Sequence, residues 1–151
     1  MKQGYYADCY VLSDKRTSTF IKSFLDNFLP NRQESAEEYV IPMHSDEPKI
    51  VFNTAIELID YLTINTNEEH TVYWSNKDEA DIKGAMCFFT NNSHVIFGIY
   101  CDTMFPTTTI EDKVFETLKN FCGSSNGFIT YEEAAPHDTT QFLERVKSAN
   151  N

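Results

Sequence analysis

One stretch decides the fold class, and it reads HTVYWSNKDEADIKGAMCFFTNNSHVIFGIYCD over residues 70–102. It contains three β-rich runs, at 70–75, 82–90 and 94–102, which are separated by short polar connections. The connection between the last two runs is Asn-Asn-Ser, and asparagine tolerates the positive φ angles of tight turns. Because short connections join antiparallel neighbours, this stretch predicts a β-meander.

Helical patterns flank the meander. Apolar residues recur at helical spacing before Pro30, after Thr54, after Thr108 and after Asp138. The spacings Thr54-x-x-Glu57 and Thr108-x-x-Glu111 are those of capping boxes, which mark the start of a helix. Two of the apolar stripes are well defined, and they consist of Phe20, Ile21, Phe24, Leu25 and Phe28 in the first and Ile110, Val114, Leu118 and Phe121 in the third.

Further strands are predicted at 5–12 and 127–132, and an edge strand at 39–42. Helices and strands are mixed, but the middle of the chain is a meander. The pattern therefore predicts an α+β fold, an antiparallel-rich sheet with helices packed mainly on one face, for which a ferredoxin-like core is one arrangement. Val95, Phe97, Ile99 and Cys101 alternate along one strand and should face the helix that begins near Thr109.

The chain has 151 residues, which predicts a single globular domain over residues 1–151. No apolar run approaches 18 residues, and residues 1–8 have no signal-like apolar core, so we expect no membrane span and no secretion signal. The four cysteines are far apart in sequence and form no CxxC motif. We therefore expect all four thiols to be reduced and buried, and the protein to be cytoplasmic.

The net charge of −11 is concentrated in one third of the chain. Residues 32–81 hold twelve acidic residues and three basic ones. Nucleic acids and anionic membranes are disfavoured as partners, because both require Lys and Arg to neutralise phosphate. A basic protein partner is compatible with this charge, and we predict that it would be contacted by Glu37, Glu38, Asp46 and Glu47.

Aromatic and acidic residues also alternate on the predicted strands. Alternation places Tyr6, Asp8 and Tyr10 on one face of the first strand, and Tyr100 and Asp102 on the face of 94–102 that is turned away from the helices. Tyrosine and tryptophan dominate interface anchors. We therefore predict a recognition surface on a helix-free sheet face, formed by Tyr6, Asp8, Tyr10, Trp74, Tyr100 and Asp102. The alternative is that these side chains complete the core beneath residues 31–49.

Two glycines interrupt the predicted strands, and glycine within a strand often marks a close approach. If Gly84 and Gly98 face each other, they would leave a shallow groove beside Met86 and Tyr100.

Catalytic and cofactor motifs are absent from the sequence. The four histidines have no metal-ligand spacing, and no glycine-rich phosphate loop, GxSxG or SxxK occurs. Adjacent acids such as Glu132 and Glu133 point to opposite faces of a strand, which separates their carboxylates. We expect no catalytic residue, no metal and no cofactor.

The function predicted from the sequence is that of a non-enzymatic cytoplasmic protein-binding domain. Its sharpest version is an acidic inhibitor or immunity-like partner of a basic protein. One alternative is a small-molecule-binding or enzymatic domain that uses the helix-free sheet face. A second is a self-associating structural domain. The oligomeric state is left open.

Overall fold

The computed structural model of the chain describes residues 6–136 and 138–149. Tyr5, which the sequence places in the first strand, lies outside the described residues. The elements follow one another as β1 (Tyr6–Ser13), α1 (Ser18–Phe28), β2 (Arg32–Glu34), β3 (Tyr39–Ile41), β4 (Ile50–Phe52), α2 (Ala55–Ile64), β5 (His70–Asn76), β6 (Ile82–Phe89), β7 (Val95–Asp102), α3 (Thr109–Cys122), β8 (Gly127–Tyr131) and α4 (Thr139–Ala149).

Six strands form the main sheet in the order β2-β5-β6-β7-β1-β8, and each neighbouring pair is antiparallel. The predicted meander is confirmed as β5-β6-β7, and so is the α+β class. The succession β1-α1-β6-β7-α3-β8 is compatible with the ferredoxin-like arrangement, to which α2, α4 and strands β2, β3, β4 and β5 would be additions. The strand predicted at 39–42 is present as β3, but it is not an edge of the main sheet. It pairs with β4 in a separate two-stranded sheet.

The larger of two hydrophobic clusters lies between one face of the sheet and helices α1, α2 and α3. Val95, Phe97, Ile99 and Cys101 of β7 are fully buried in it, as their alternation predicts. Val114, Leu118 and Cys122 of α3 are buried in the same cluster. The apolar face of β7, which follows a period of two, and the apolar stripe of α3, which follows helical spacing, thus pack in the same core.

A smaller cluster lies on the opposite face of the sheet, where α4 packs. Phe142 of α4 is fully buried, and its ring centroid lies 4.9 Å from that of Phe128 in β8. Leu12 and Phe88 belong to the same cluster. The second face is therefore not helix-free, which corrects the sequence prediction. Three of the four helices still lie on the first face.

The two predicted capping boxes have different outcomes. Thr54 caps α2, since its Oγ1 accepts from the backbone N–H of Glu57 at 3.3 Å. Thr108 makes no such bond, and its Oγ1 donates instead to Asp112. Glu111 turns into the interior, where its Oε2 accepts from Thr103 Oγ1 at 2.6 Å and from the Tyr131 hydroxyl at 2.7 Å. These two hydroxyl donors replace the capping interaction.

The four cysteines are free and buried. Burial raises the pKa of Cys122 to about 12, and nearby Lys15 acts in the opposite direction. A high pKa keeps this thiol protonated and unreactive at neutral pH.

Of the helices in residues 6–136 and 138–149, none has the length and the apolar character that crossing a membrane requires.

Candidate functional site

A pocket of about 220 Å³ opens on the second face of the sheet. It is lined by side chains of four strands and by the segment that follows β8, and none of the lining residues belongs to α4. The lining residues are Tyr6, Asp8, Tyr10, Tyr73, Met86, Phe88, Tyr100, Glu132, Glu133 and Ala134.

The pairing register brings these side chains together. Asp8 of β1 lies opposite Tyr100 of β7, and Tyr73 of β5 lies opposite Met86 of β6. Directly paired residues of antiparallel strands point to the same face. Four adjacent strands, β5, β6, β7 and β1, therefore each contribute side chains to the pocket. The residues between these point to the other face and belong to the larger hydrophobic cluster, here called the first core.

The two glycines shape this surface differently from the predicted groove. Gly84 pairs with Tyr100 and Gly98 pairs with Met86, so the glycines do not face each other. The Tyr100 ring lies over Gly84, in space that a Cβ atom there would occupy. The Tyr10 ring and the Met86 methyl group lie close to Gly98, about 3.0 Å from where a Cβ atom would be. The glycines thus allow large side chains to lie flat on the sheet.

Asp8 lies at the base of the pocket and is only 8 % exposed. Its Oδ2 accepts a hydrogen bond from the backbone N–H of Glu133 at 3.1 Å. No Lys, Arg or His among the described residues forms an ion pair with it. Burial raises the pKa of Asp8 from 3.8 to about 6, against the lowering effect of the Glu133 and Glu132 backbone N–H groups. A buried carboxylate without a counter-charge is costly, so this position favours a cation.

The segment after β8 closes one side of the pocket. Glu132 has a φ of 57°, in the left-handed region, and the N–H of the next residue, Glu133, points at Asp8. Glu133 Oε1 accepts from Thr130 Oγ1 at 2.8 Å and from Arg145 Nη2 at 3.0 Å. These contacts, with Thr130 first, hold the pKa of Glu133 below its ordinary value. Glu132 and Glu133 are exposed, and both line the pocket at this side.

The tyrosines supply ring faces and hydroxyl groups. Tyr73 is 44 % exposed and Tyr6 is 38 % exposed, so both rings are accessible at the rim. The Tyr6 and Tyr100 rings meet edge to face, with centroids 5.8 Å apart. Tyr10 is buried, and its hydroxyl donates to the Glu133 carbonyl oxygen at 2.8 Å. Burial raises the pKa of both Tyr10 and Tyr73, and proximity to Asp8 adds to the effect.

The structure brings together four of the six residues predicted on the sheet face, namely Tyr6, Asp8, Tyr10 and Tyr100. Asp102 lies opposite Tyr6, outside the pocket lining, with its Oδ2 3.6 Å from Lys83 Nζ. Trp74 lies on the other face, paired with Ala85 and 2 % exposed within the first core. The prediction that Trp74 lies on the same face of the sheet as the tyrosines is therefore wrong.

The four acidic residues predicted as partner contacts are exposed. Within the described residues, none of the carboxylates of Glu37, Glu38, Asp46 and Glu47 accepts a hydrogen bond or forms an ion pair. Glu38 lines a neighbouring pocket of about 440 Å³ that also includes Tyr73. Since Tyr73 lines both pockets, the pocket that contains Glu38 adjoins the Asp8 pocket on its β5 side.

Sequence reasoning missed Tyr73 and the role of Glu132 and Glu133. For Tyr73 a signal exists, because Val72 and Trp74 form the apolar alternation of β5 and leave Tyr73 on the opposite face. For the glutamates no local signal exists, since their position depends on a left-handed residue and on Arg145 of α4.

Aromatic rings around a buried carboxylate are an arrangement that recognises organic cations, through charge and through cation–π attraction. Among the described residues, this pocket combines four tyrosines with a carboxylate that has no cationic partner. No known family model, curated protein or solved structure matches this chain.

Proposed function

We propose that this chain is a protein-binding domain whose partner is a basic protein. The observation that carries the proposal is the position of Asp8, buried without a counter-charge at the base of a tyrosine-lined pocket. Tyrosine is among the residues that anchor interfaces, and a pocket of this kind accepts one side chain of a partner.

Four exposed acids, of which Glu38 lines the neighbouring pocket, support the same partner chemistry. Glu37 and Glu38 precede β3, and Asp46 and Glu47 lie in the connection between β3 and β4. Since these four carboxylates are unpaired within the described part of the chain, their field is available to a partner. Such a field accelerates encounter with a positively charged surface and orients it. Inhibitor-like or immunity-like binding to a basic protein is the sharpest form of this proposal.

The size of the Asp8 pocket favours a protein partner over a free small molecule. Pockets that enclose drug-sized ligands measure about 300–1,000 Å³. The Asp8 pocket has about 220 Å³, which suits a single side chain presented by a larger surface.

Association kinetics test the proposal. A partner captured from native extract would be mixed with this protein in a stopped-flow instrument at low and high salt. Neutralising Glu37, Glu38, Asp46 and Glu47 with Gln or Asn should slow association by about tenfold or more at low salt. The off-rate should change less, and the effect should shrink as salt screens the field.

A charge-matched control separates position from net charge. Asp14, Glu79, Glu116 and Glu144 are also exposed, and their neutralisation removes the same four charges elsewhere. This control should leave the on-rate close to that of the parent protein. Equal slowing by both fourfold variants would contradict a localised docking surface.

A further inference from the structure

We propose that the Asp8 pocket binds the side chain of a lysine, with its ammonium group at the Asp8 carboxylate and its methylene chain between the tyrosine rings. This inference rests on the proposed function and names the group of the basic partner that enters the pocket.

The apolar part of the pocket matches the lysine stem. Tyr73, Met86, Phe88 and Tyr100 line its walls, and Tyr73 is accessible at the rim. Lysine buries its methylene groups along apolar surface and keeps its charge at the tip. Here the tip would reach Asp8, which is held in place by the Glu133 backbone N–H.

The occupancy of the carboxylate oxygens distinguishes lysine from arginine. Asp8 Oδ2 already accepts from Glu133 N–H, and Glu132 Oε2 accepts from Tyr6 N–H at 3.2 Å. Glu133 Oε1 accepts from Thr130 and Arg145. In each of these carboxylates one oxygen already accepts from a protein donor, so the planar fork of a guanidinium, which uses both oxygens, would have to share that oxygen with the existing donor. An ammonium group is a compact point charge that needs only one oxygen and the ring faces.

Binding of an ammonium group requires Asp8 to be ionised. The titratable groups that line the pocket with it are Tyr6, Tyr10, Tyr73, Tyr100, Glu132 and Glu133, with Arg145 of α4 bonded to Glu133. Because burial raises the pKa of Asp8 to about 6, roughly one tenth of it is ionised at pH 5. Lysine binding should accordingly weaken about tenfold between pH 7.5 and pH 5.

The test titrates the intact protein with three blocked amino acids, Nα-acetyl-lysine methylamide and its arginine and norleucine counterparts. NMR shifts of the Glu132 and Glu133 amides report occupancy. The lysine compound should give saturating shifts at pH 7.5 and bind about tenfold more weakly at pH 5. The norleucine compound should give no saturation, and the arginine compound should bind several-fold more weakly than lysine.

Variants localise the effect. Asp8→Asn keeps the size of the side chain and should lower lysine affinity about tenfold or more. Tyr73→Leu removes an exposed ring and should weaken binding several-fold without unfolding the protein. Glu79→Gln removes an exposed charge outside the pocket and should change nothing. Absence of a saturating lysine shift, equal binding of norleucine, tighter binding of arginine, or full affinity in Asp8→Asn would each overturn the proposal.

The outcome is separable from that of the proposed function. Failure of the lysine titration together with slowed association of the Glu37, Glu38, Asp46 and Glu47 variant overturns only the lysine pocket. A saturating lysine titration with association that is insensitive to those four residues supports the pocket and contradicts the basic-protein surface.

Discussion

The Arg16 guanidinium donates a 2.7 Å hydrogen bond from Nη1 to the carbonyl oxygen of Thr90, inside the protein. The same side chain donates to four more carbonyl oxygens and lies over the Phe89 ring. These acceptors belong to Leu62, Asn65, Glu68 and His94. Arg16 therefore joins the C-terminal end of α2 to the β6–β7 turn, and no carboxylate among the described residues pairs with it.

Replacement of Arg16 by Lys should destabilise the protein by about 3 to 5 kcal/mol, because several buried carbonyl oxygens lose their donor. Urea denaturation monitored by circular dichroism measures this loss. Arg32→Lys is the control, since Arg32 contacts the exposed Asp26 and one carbonyl oxygen. A loss as small as that of the control would show that the Arg16 bonds contribute little.

Asp8→Asn should stabilise the protein at neutral pH. In the folded state the pKa of Asp8 is raised from 3.8 to about 6 by burial, so folding favours the protonated form. The folded state then binds more protons than the unfolded state between these values, and stability falls as pH rises from about 4 to about 6. The cost at pH 7 is about 3 kcal/mol.

Thermal denaturation of the parent and Asp8→Asn proteins from pH 4 to pH 7.5 measures this difference. The stabilising effect of the substitution should be largest above pH 6 and disappear near pH 4. Asp14→Asn, at an exposed position, serves as the control. A constant difference across the whole range would mean that the Asp8 carboxyl is not the titrating group.

Gly84→Ala should disturb the pocket more than Gly98→Ala. A Cβ atom at Gly84 would overlap the Tyr100 ring, whereas at Gly98 it would lie about 3.0 Å from the Met86 methyl group and the Tyr10 ring. Overpacking costs about 1 to 3 kcal/mol. Differential scanning calorimetry gives the stability, and Tyr100 ring shifts in NMR spectra show displacement. Unmoved Tyr100 resonances in Gly84→Ala would contradict the packing of that ring.

Phe24→Ala should cost about 3 to 5 kcal/mol, through lost burial and the cavity left behind. Phe24 is fully buried, and its ring centroid lies 4.7 Å from that of Phe97 in β7. Chemical denaturation measures the change, with Phe105→Ala at a ring that is 52 % exposed as the comparison. Equal effects of the two substitutions would place Phe24 outside the stabilising core.

Local patterns predict the parts of this fold that depend on one element at a time. Alternation within a single strand is enough to place Tyr6, Asp8 and Tyr10 together, and the turn residues are enough for the meander. The face occupied by Trp74 depends on its pairing with Ala85, which is a relation between two strands. Whether the second face of the sheet carries a helix depends on where α4 packs, and contacts between residues far apart in sequence determine this.

Competition between donors explains the remaining differences. Glu111 has the spacing of a capping residue, but Thr103 and Tyr131 offer it two hydroxyl groups in the interior. Glu133 is one of two adjacent acids, yet Thr130 and Arg145 fix its carboxylate in the pocket wall. Thr130 and Thr103 are close in sequence to the glutamates they contact, but Tyr131 and Arg145 come from other elements, so local sequence shows only part of each arrangement.

The alternation of β1, β5, β6 and β7 between the first core and the pocket has an evolutionary consequence. Strand residues of the pocket outside the smaller hydrophobic cluster, such as Asp8 and Tyr73, can be exchanged without altering the residues on either side of them in the strand, which face the first core. An inserted or deleted residue within one of these strands would instead turn every following side chain to the opposite face. The lining of the pocket can therefore change by point substitution, whereas a change in strand length would disrupt both faces of the sheet at once.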